Sequence, residues 1–282
     1  MDLVLHGEAL PLLPDSLLEQ IAVVTKTHAI QRQSSYLFRL CAAERSFAFD
    51  AFLPLLENAK VDWAFVEPGL KLSDFGLIAF DMDSTLILIE CIDELADFAG
   101  KKAEVSAITA AAMRGELDYR ESLRQRVAVL AGLDARVLAQ VFNERLVLTP
   151  GALSLIKAVQ KAGLRTAILS GGFTYFTERL RIELGLDFAS SNTLEINHGR
   201  LTGRVLGEIV DAQAKARHLL RLRTELGLQS AQLIAVGDGA NDLLMMAEAG
   251  LSVAYHAKAA VRSQARIALN FCGLDGLLAL FS

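Results

Sequence analysis

The sequence predicts an α/β protein with a parallel-sheet core, an inserted bundle of helices and a small α/β module at the N-terminus. Three observations support this fold class. From residue 77 onward, apolar runs of strand length alternate with helical patterns. An almost wholly helical stretch separates the first two runs, and a break rich in turn-forming residues precedes them. With 282 residues, of which 52% are apolar, the chain can bury such a core.

The N-terminal module is predicted to span residues 1–73. Its predicted elements, in chain order, are a helix at 16–24, a strand at 35–41, a helix at 47–56 and a strand at 61–66. The pattern is then interrupted by four turn-forming residues, Pro68, Gly69, Ser73 and Asp74. We therefore expect a domain boundary near residue 73 and a second, larger domain over residues 74–282.

The second domain is predicted to contain a parallel sheet with helices on both faces. Its candidate strands are the apolar runs at 77–80, 165–169, 233–236 and 251–255. Thr149-Pro150 is expected to begin a helix, with proline at the first helical position, and Gly163 to end it. The tripeptide Asn197-His198-Gly199 is typical of a tight hairpin turn.

A helical cap is predicted at about 90–147, between the first two strands of the sheet. Apolar residues recur at helical spacing in four stretches, and Gly100 and Gly115 end the first two. Asp118 and Glu121 precede the third stretch in the arrangement of a capping box. The insert begins shortly after two aspartates, Asp81 and Asp83, that follow the first strand of the sheet. Because of this position, we interpret it as a lid over a site and not as an insert without function.

Composition and charge exclude several functional classes. A net charge of −5 argues against nucleic-acid binding, and no apolar stretch has the length of a membrane span. The chain has no P-loop and no Cys-x5-Arg motif, and its five histidines show no paired ligand spacing. The three cysteines lie far apart and no signal peptide is visible, so a cytoplasmic protein is expected.

Polar clusters follow three of the predicted strands. Asp81 and Asp83 follow the first strand, Ser170-Gly171-Gly172 follows the second, and Gly-Asp-Gly-Ala-Asn-Asp at 237–242 follows the third. In open α/β sheets, ligands bind at the carboxyl ends of the strands. The three clusters are therefore expected to meet at one site.

The acid pair Asp81 and Asp83 has two interpretations. Side chains two positions apart on extended backbone can point the same way, and two such carboxylates repel unless a cation or a proton lies between them. This arrangement suits a metal site with one nucleophilic acid and one proton-transferring acid. The alternative is an ordinary strand-to-helix turn in which Asp and Ser side chains cap free backbone donors.

The other candidates have similar alternatives. The side-chain oxygens at 237–242 suit a hard cation such as Mg²⁺, but an Asx-type turn has the same composition. Ser170 with its two glycines suits an approaching anion, or it caps a helix. Lys215 either supplies positive charge to that anion or is a solvated surface lysine.

Taken in order, these residues resemble the motifs of the haloacid dehalogenase-like hydrolase superfamily. The four motifs are Asp81-x-Asp83-Ser84-Thr85, then Ser170, then Lys215, then the segment 237–242. Glu90-x-x-Asp93-Glu94 and the segment 122–127 are similar to the cap signature of the phosphoserine phosphatases within that superfamily. The resemblance covers roughly residue 75 to the C-terminus.

The resemblance implies a fold and a reaction. The fold is a Rossmann-like parallel-sheet core with a helical-bundle cap. The reaction is the Mg²⁺-dependent hydrolysis of O-phospho-L-serine to L-serine and phosphate through an aspartyl-phosphate, the last step of serine biosynthesis. The expected partner is thus a small-molecule substrate, with no nucleic acid and no membrane, and a homodimer is one further expectation.

The resemblance also implies roles in catalysis and metal binding. Asp81 is the nucleophile and Asp83 the proton donor and acceptor, with Ser170 and Lys215 completing the catalytic group. Mg²⁺ is held by Asp81, by the backbone carbonyl of Asp83 and by Asp238. Asp242 orients Lys215 or the water molecules on the metal.

Substrate binding is implied for six residues, Glu90, Arg126, Ser170, Gly171, Lys215 and Asn241. Glu90 suits the ammonium group of phosphoserine, and the planar guanidinium of Arg126 suits its carboxylate. The alternative for Arg126 is a surface helix arginine, since Arg120, Arg124 and Arg136 lie nearby in the sequence.

Two rival functions and one open region remain. One rival is a phosphatase or phosphotransferase for another small phosphate, such as phosphohomoserine. The other rival is a non-catalytic ligand-binding or regulatory protein, against which the intact acid pair and Lys215 argue. The N-terminal module is compatible with a reduced ACT-like domain that binds serine, mediates dimerisation or only stabilises the catalytic domain.

Overall fold

The computed structural model comprises residues 1–282 and contains two β-sheets. The strands are β1 (Asp2–His6), β2 (Ala29–Ser34), β3 (Leu37–Cys41), β4 (Asp62–Val66), β5 (Leu77–Phe80), β6 (Arg165–Phe173), β7 (Phe188–Asn197), β8 (Arg200–Leu206), β9 (Leu233–Gly237), β10 (Leu251–Tyr255) and β11 (Ile267–Leu269). The helices are α1 (Asp15–Val24), α2 (Phe47–Asp50), α3 (Leu53–Asn58), α4 (Cys91–Phe98), α5 (Lys102–Met113), α6 (Tyr119–Val129), α7 (Arg136–Glu144), α8 (Ala152–Lys161), α9 (Thr174–Leu184), α10 (Ala212–Glu225), α11 (Leu243–Ala247) and α12 (Ala259–Arg262). No helix is both long enough and apolar enough to cross a membrane.

The larger sheet is parallel except at one edge. Its strand order is β11-β10-β9-β5-β6-β7-β8, and only the pair β7–β8 is antiparallel. The central strands β5 and β9 lie side by side, and every residue of both is buried. Such burial is typical of parallel strands covered by helices on both faces. The predicted α/β fold with a parallel-sheet core is confirmed.

The structure differs from the prediction at the edges of this sheet. The strands β7, β8 and β11 were not predicted, because β7 carries Ser-Ser-Asn in its middle and β11 has only three residues. The predicted turn between β7 and β8 is present, with His198 and Gly199 both at positive φ. Strand β6 continues to Phe173 and α9 begins at Thr174, so Ser170 lies within a strand and is not a helix cap.

The predicted helical cap is confirmed as four helices, α4 to α7, inserted between β5 and β6. Their apolar faces join the main hydrophobic core through buried residues such as Leu95, Val105, Val127 and Leu138. Asp118 caps α6 by accepting a hydrogen bond from the Glu121 N–H at 2.8 Å. The loop between α6 and α7 also bonds to β8, because the Gly132 N–H donates to the Leu201 carbonyl and the Leu201 N–H to the Leu133 carbonyl.

One predicted helix start is wrong by two residues. Helix α8 begins at Ala152 and not at Pro150, and the intervening Gly151 has a φ of 78°. The Thr149 hydroxyl donates to the Thr85 carbonyl at 2.7 Å, which holds the chain extended just before the turn. Gly151 reverses the chain in a conformation that favours glycine, and the helix starts after it.

The N-terminal sheet has four antiparallel strands in the order β2-β3-β1-β4. Strands β1 and β2 were not predicted, and every residue of β2 is exposed, so it has no buried alternating pattern. The single helix predicted at 47–56 is wrong, because the chain forms the two short helices α2 and α3 there. Pro54 lies at the start of α3 and lacks the N–H that a continuous helix would need.

Candidate active site

Asp81 lies directly after β5, where the strand leads into a tight turn. Its Oδ1 accepts a hydrogen bond from the Met82 N–H at 2.7 Å, and the residue is buried. In the following turn Ser84 has a φ of 57°, which is uncommon outside glycine and is often found at functional sites. Asp83 belongs to the same turn, and both acids line one cavity.

Lys215 reaches the same strand ends from α10. Its Nζ lies 2.8 Å from Asp81 Oδ2 and 2.7 Å from Asp242 Oδ1, and its side chain is fully buried. Burial opposes the charge on Lys215, but the carboxylates of Asp242 and Asp81 more than offset this and raise its pKa. Lys215 is therefore a buried cation between two acids, and the interpretation as a solvated surface lysine is wrong.

Three carboxylates form a cluster around this lysine. Ligand atoms of Asp81, Asp238 and Asp242 all lie within 4.8 Å of one another, and the Asp83 carboxylate is not part of the group. Asp242 already uses both oxygens, since Oδ1 pairs with Lys215 and Oδ2 accepts the Gly239 N–H at 3.1 Å. A single lysine leaves excess negative charge on hard oxygen donors, which suits a divalent cation.

Asp238 is held in place by the turn after β5. Its Oδ1 accepts a hydrogen bond from the Thr85 hydroxyl at 3.0 Å. Burial, together with the charge of Asp81, raises the pKa of Asp238 to about 6. Asp238 is therefore ionised above about pH 6, where its carboxylate can serve as a metal ligand in this crowded acidic site.

Asp83 and Glu90 form a second pair of acids at the base of the cap. Asp83 Oδ1 accepts the Cys91 N–H at 3.2 Å, and Glu90 Oε1 accepts the Ser84 hydroxyl at 2.7 Å. Burial, followed by the charge of Glu90, raises the pKa of Asp83 well above its ordinary value. A carboxyl group that keeps its proton can act as a general acid.

The last residues of β6 form a close-packed segment opposite these acids. Ser170 is fully buried, and its Oγ accepts the Gly172 N–H at 2.9 Å. A Cβ atom on Gly172 would lie 2.7 Å from Asp83 Oδ2, so a larger residue there would displace the Asp83 carboxylate. The Gly171 carbonyl accepts hydrogen bonds from the Tyr119 hydroxyl at 3.2 Å and from Asn192 Nδ2 at 2.8 Å.

Helix α6 supplies the cap side of the cavity. Tyr119, Leu123 and Arg126 line it together, at positions i, i+4 and i+7 of one helical face. Arg126 has no carboxylate within ion-pair distance, whereas Arg120 pairs with Asp211 and Arg124 with Glu121. The sequence prediction missed Tyr119 and Leu123 as site residues, although their helical spacing to Arg126 was the signal that could have found them.

Comparison with known proteins gives the family. The model of the haloacid dehalogenase-like hydrolase family matches residues 78–247. The chain belongs to this family. A protein named phosphoserine phosphatase from Polaromonas sp. is 59% identical over 218 residues, which are 76% of this chain and 92% of that protein.

Two solved structures extend the comparison over the whole chain. The probable phosphoserine phosphatase of Vibrio cholerae, in its unliganded form, has a TM-score of 0.84 and 42% identity, covering 99% of this chain and 85% of its own. A HAD family hydrolase of Salmonella enterica has a TM-score of 0.88 and 32% identity, covering 100% of this chain and 98% of its own.

In this haloacid dehalogenase-like hydrolase, the sequence motifs meet at one cavity of about 190 Å³. The predicted site residues that line the cavity are Asp81, Asp83, Glu90, Arg126, Ser170, Gly171, Asp238 and Asn241. Lys215 and Asp242 lie behind it, fully buried and paired with each other. Asn241 Nδ2 is 3.5 Å from Asp81 Oδ2, which places its amide beside the acid cluster.

Proposed function

We propose that the protein is a phosphoserine phosphatase, which hydrolyses O-phospho-L-serine to L-serine and inorganic phosphate in the last step of serine biosynthesis. One observation carries this proposal. A single small cavity is lined by the acid pair Asp81 and Asp83 and also by Glu90 and the unpaired Arg126. The acid pair supplies a nucleophile and a proton donor for phosphoryl transfer. Glu90 matches the ammonium group and Arg126 the carboxylate of one amino-acid phosphate.

The acid pair performs the two chemical steps. A carboxylate oxygen of Asp81 attacks phosphorus and forms an aspartyl-phosphate, while the bond between phosphorus and the serine oxygen breaks. Asp83 gives its proton to that departing oxygen. Asp83, now ionised, then takes a proton from the water that attacks the aspartyl-phosphate, which releases phosphate and restores both acids.

Charge neutralisation is the main electrostatic requirement. A carboxylate and a phosphate dianion repel by roughly 8 kcal/mol at about 4 Å and an effective dielectric constant near 20. The buried ammonium of Lys215 and the hydroxyl of Ser170 lie on this side of the cavity and offset part of that repulsion. Gly171 offers its backbone N–H, and Asn241 its amide, to the same phosphate.

The cofactor we propose is Mg²⁺, held by Asp81, Asp238 and the backbone carbonyl of Asp83. Asp242 keeps Lys215 in place and thereby orients the group around the metal. The hard oxygen donors and the excess negative charge of the cluster support this assignment. When bound, the ion stabilises negative charge on the transferring phosphoryl group.

Substrate comparison tests this proposal. Phosphoserine should give the highest kcat/KM in a panel that also contains phosphohomoserine, phosphoethanolamine and sugar phosphates. Phosphate release should depend on Mg²⁺ and should be abolished in Asp81→Asn, because an amide is a poor nucleophile. Preference for a sugar phosphate would contradict the roles of Glu90 and Arg126, and undiminished turnover in Asp81→Asn would refute the mechanism.

Three expectations from the sequence stay predictions. They are a cytoplasmic location, a homodimer, and a domain boundary near residue 73 with an ACT-like N-terminal module. The three cysteines are all unpaired, which supports the first of them.

A further inference from the structure

Asn192 connects two parts of the site without touching the cavity. It lies on β7, is buried, and donates through Nδ2 to the Gly171 carbonyl at 2.8 Å. Its Oδ1 accepts the Val210 N–H, also at 2.8 Å. Both ends of one buried amide are thus used by backbone groups, and a buried polar group that loses its partner is costly.

The bond to Gly171 fixes the orientation of Ser170. The Gly171 carbonyl and the Gly172 N–H belong to the same planar peptide unit. With its carbonyl held by Asn192, this unit directs its N–H to Ser170 Oγ at 2.9 Å. Because Ser170 Oγ accepts that hydrogen bond, its own O–H is left to donate to a phosphate oxygen in the cavity.

The bond to Val210 reaches the helix of Lys215. Val210 precedes Asp211, which caps α10 by accepting the Ala214 N–H at 2.9 Å. The first turn of this helix therefore starts at a backbone position that Asn192 holds. One side chain thus links the strand that carries Ser170 to the segment that leads into the helix of Lys215.

The helical cap contacts the core at Gly171 and at Asp211, which follows Val210. The Tyr119 hydroxyl donates to the Gly171 carbonyl at 3.2 Å, and Arg120 Nε donates to Asp211 Oδ2 at 2.6 Å. Tyr119 thus shares the Gly171 carbonyl with Asn192, and Arg120 contacts the residue that follows Val210. Tyr119 also lines the cavity, so its contact completes the site from the cap side.

We propose that Asn192 is a positioning residue for phosphoryl transfer, which holds the Gly171–Gly172 peptide unit so that Ser170 is aligned, and that Tyr119 of the docked cap provides the second hold on the same carbonyl. This inference rests on the proposed phosphatase function. Asn192 contributes to the rate by aligning Ser170, and a small displacement of an aligned group costs about 100-fold in rate.

Kinetics of three single variants test the inference. Asn192→Ala should lower kcat about 100-fold and weaken inhibition by inorganic phosphate, with a smaller change in KM because Glu90 and Arg126 are untouched. Tyr119→Phe keeps the ring and should lower kcat about 5-fold to 10-fold through loss of one hydrogen bond. The control is Ser191→Ala, which removes the hydrogen bond between the Ser191 and Thr177 hydroxyls on the other side of β7 and should leave kcat unchanged.

A double-mutant cycle with Ser170→Ala separates positioning from a structural role. If Asn192 acts through Ser170, Asn192→Ala should cost less than about 3-fold in the Ser170→Ala background. Equal losses in both backgrounds, or a folded Asn192→Ala enzyme with unchanged kcat and unchanged phosphate inhibition, would overturn the inference. Should Asn192→Ala not fold, the same cycle with Tyr119→Phe decides between positioning and a structural role.

Wild-type turnover of phosphoserine in the same assay tests the proposed function separately. The cycle is run on whichever phosphomonoester the wild type hydrolyses.

Discussion

At the scale of single residues, the charge of Lys215 has an unusual environment. Its side chain is 1% exposed and lies between Asp81 and Asp242, themselves 6% and 0% exposed. A charge this deeply buried is tolerated only when it is paired and hydrogen-bonded. The site is therefore built as a balance of charges, and single substitutions that disturb this balance should affect stability as well as catalysis.

Lys215→Met should destabilise the metal-free protein. The substitution leaves Asp81 and Asp242 facing each other without a cation, and breaking a buried pair costs about 3–5 kcal/mol. Urea denaturation should show this loss in the free energy of unfolding. The matched control Lys157→Met, at an exposed position on α8, should change it by less than about 0.5 kcal/mol. Equal stability of the two variants would show that Lys215 does not stabilise the fold by pairing with Asp81 and Asp242.

The pKa of Asp238 predicts how pH affects metal binding. This pKa is raised from 3.8 to about 6, so protonation stabilises the metal-free fold fully below 3.8, and that stabilisation is lost as pH rises through about 6. A divalent cation replaces the proton above that pH. Saturating Mg²⁺ should therefore raise the melting temperature more at about pH 7.5 than at about pH 5.

Two variants control this metal experiment. Asp238→Asn should remove most of the Mg²⁺-dependent shift at the higher pH, because the amide carries no charge. Asp15→Asn, at an exposed position of the N-terminal sheet's helix α1, should keep the full shift in melting temperature. A shift that is independent of pH in the wild type would mean that Asp238 does not exchange its proton for the metal.

At the scale of elements, helix α6 does more than cover the site. One face of it lines the cavity with Tyr119, Leu123 and Arg126, and its first turn docks on the core through Tyr119 and Arg120. Asp118 fixes where the helix begins and so sets the register of that face. In the proposed function, substrate selection depends on a helix whose position is set by its N-cap residue Asp118 and by its two docking contacts.

Arg126→Lys should separate substrate binding from chemistry. Lysine keeps the charge but loses the two-point geometry, so KM for phosphoserine should rise about 10-fold while kcat changes little. Phosphoethanolamine has no carboxylate, and its KM should stay nearly constant. The control Arg124→Lys, whose arginine points to Glu121 outside the cavity, should resemble wild type. Equal effects on both substrates would show that Arg126 does not bind the carboxylate.

At the scale of the whole molecule, the N-terminal sheet is joined to the C-terminal segment by buried charges. The Asp62 carboxylate on β4 accepts the backbone N–H groups of Asn270, Phe271 and Cys272, at 2.7, 3.0 and 2.9 Å. Arg39 on β3 donates to the carbonyls of residues 279, 280 and 281. Val4, Ala64 and Val66 also belong to the main hydrophobic core. The two sheets should therefore unfold together.

Asp62→Asn tests this cooperativity. An amide cannot accept three N–H groups as a carboxylate does, so the free energy of unfolding should fall by about 2–4 kcal/mol. Trp63, the single tryptophan, lies on the N-terminal sheet, so its fluorescence and the phosphatase activity report on different sheets. Both transitions in urea should coincide in the wild type. The control Asp50→Asn, whose side chain is 42% exposed and pairs with Arg45, should lower the free energy of unfolding by less than about 1 kcal/mol. Separate transitions of fluorescence and activity in the wild type would contradict joint unfolding of the two sheets.

The elements that could be predicted are those with a strong local signal. The strand at 77–80 and the strand at 251–255 were predicted with their observed bounds, because the first is a short, wholly apolar run and the second is apolar except for Ser252. The cap helices were predicted from their apolar spacing and their terminal glycines. Strand β2 could not be predicted, because its residues are all exposed, and β7 was missed because polar residues interrupt it.

The sequence by itself determined the parallel core, the inserted cap and the order of the motifs along the strand ends. These features depend on periodicity and spacing among near neighbours in the chain. Only the tertiary structure decided that Lys215 is buried between Asp81 and Asp242 and that Arg126 alone among its neighbours is unpaired. It also decided that Asn192 joins the end of β6 to the segment before α10. Each of these depends on which side chains meet across long separations in the chain, and burial and charge pairing there leave no periodic trace in the sequence.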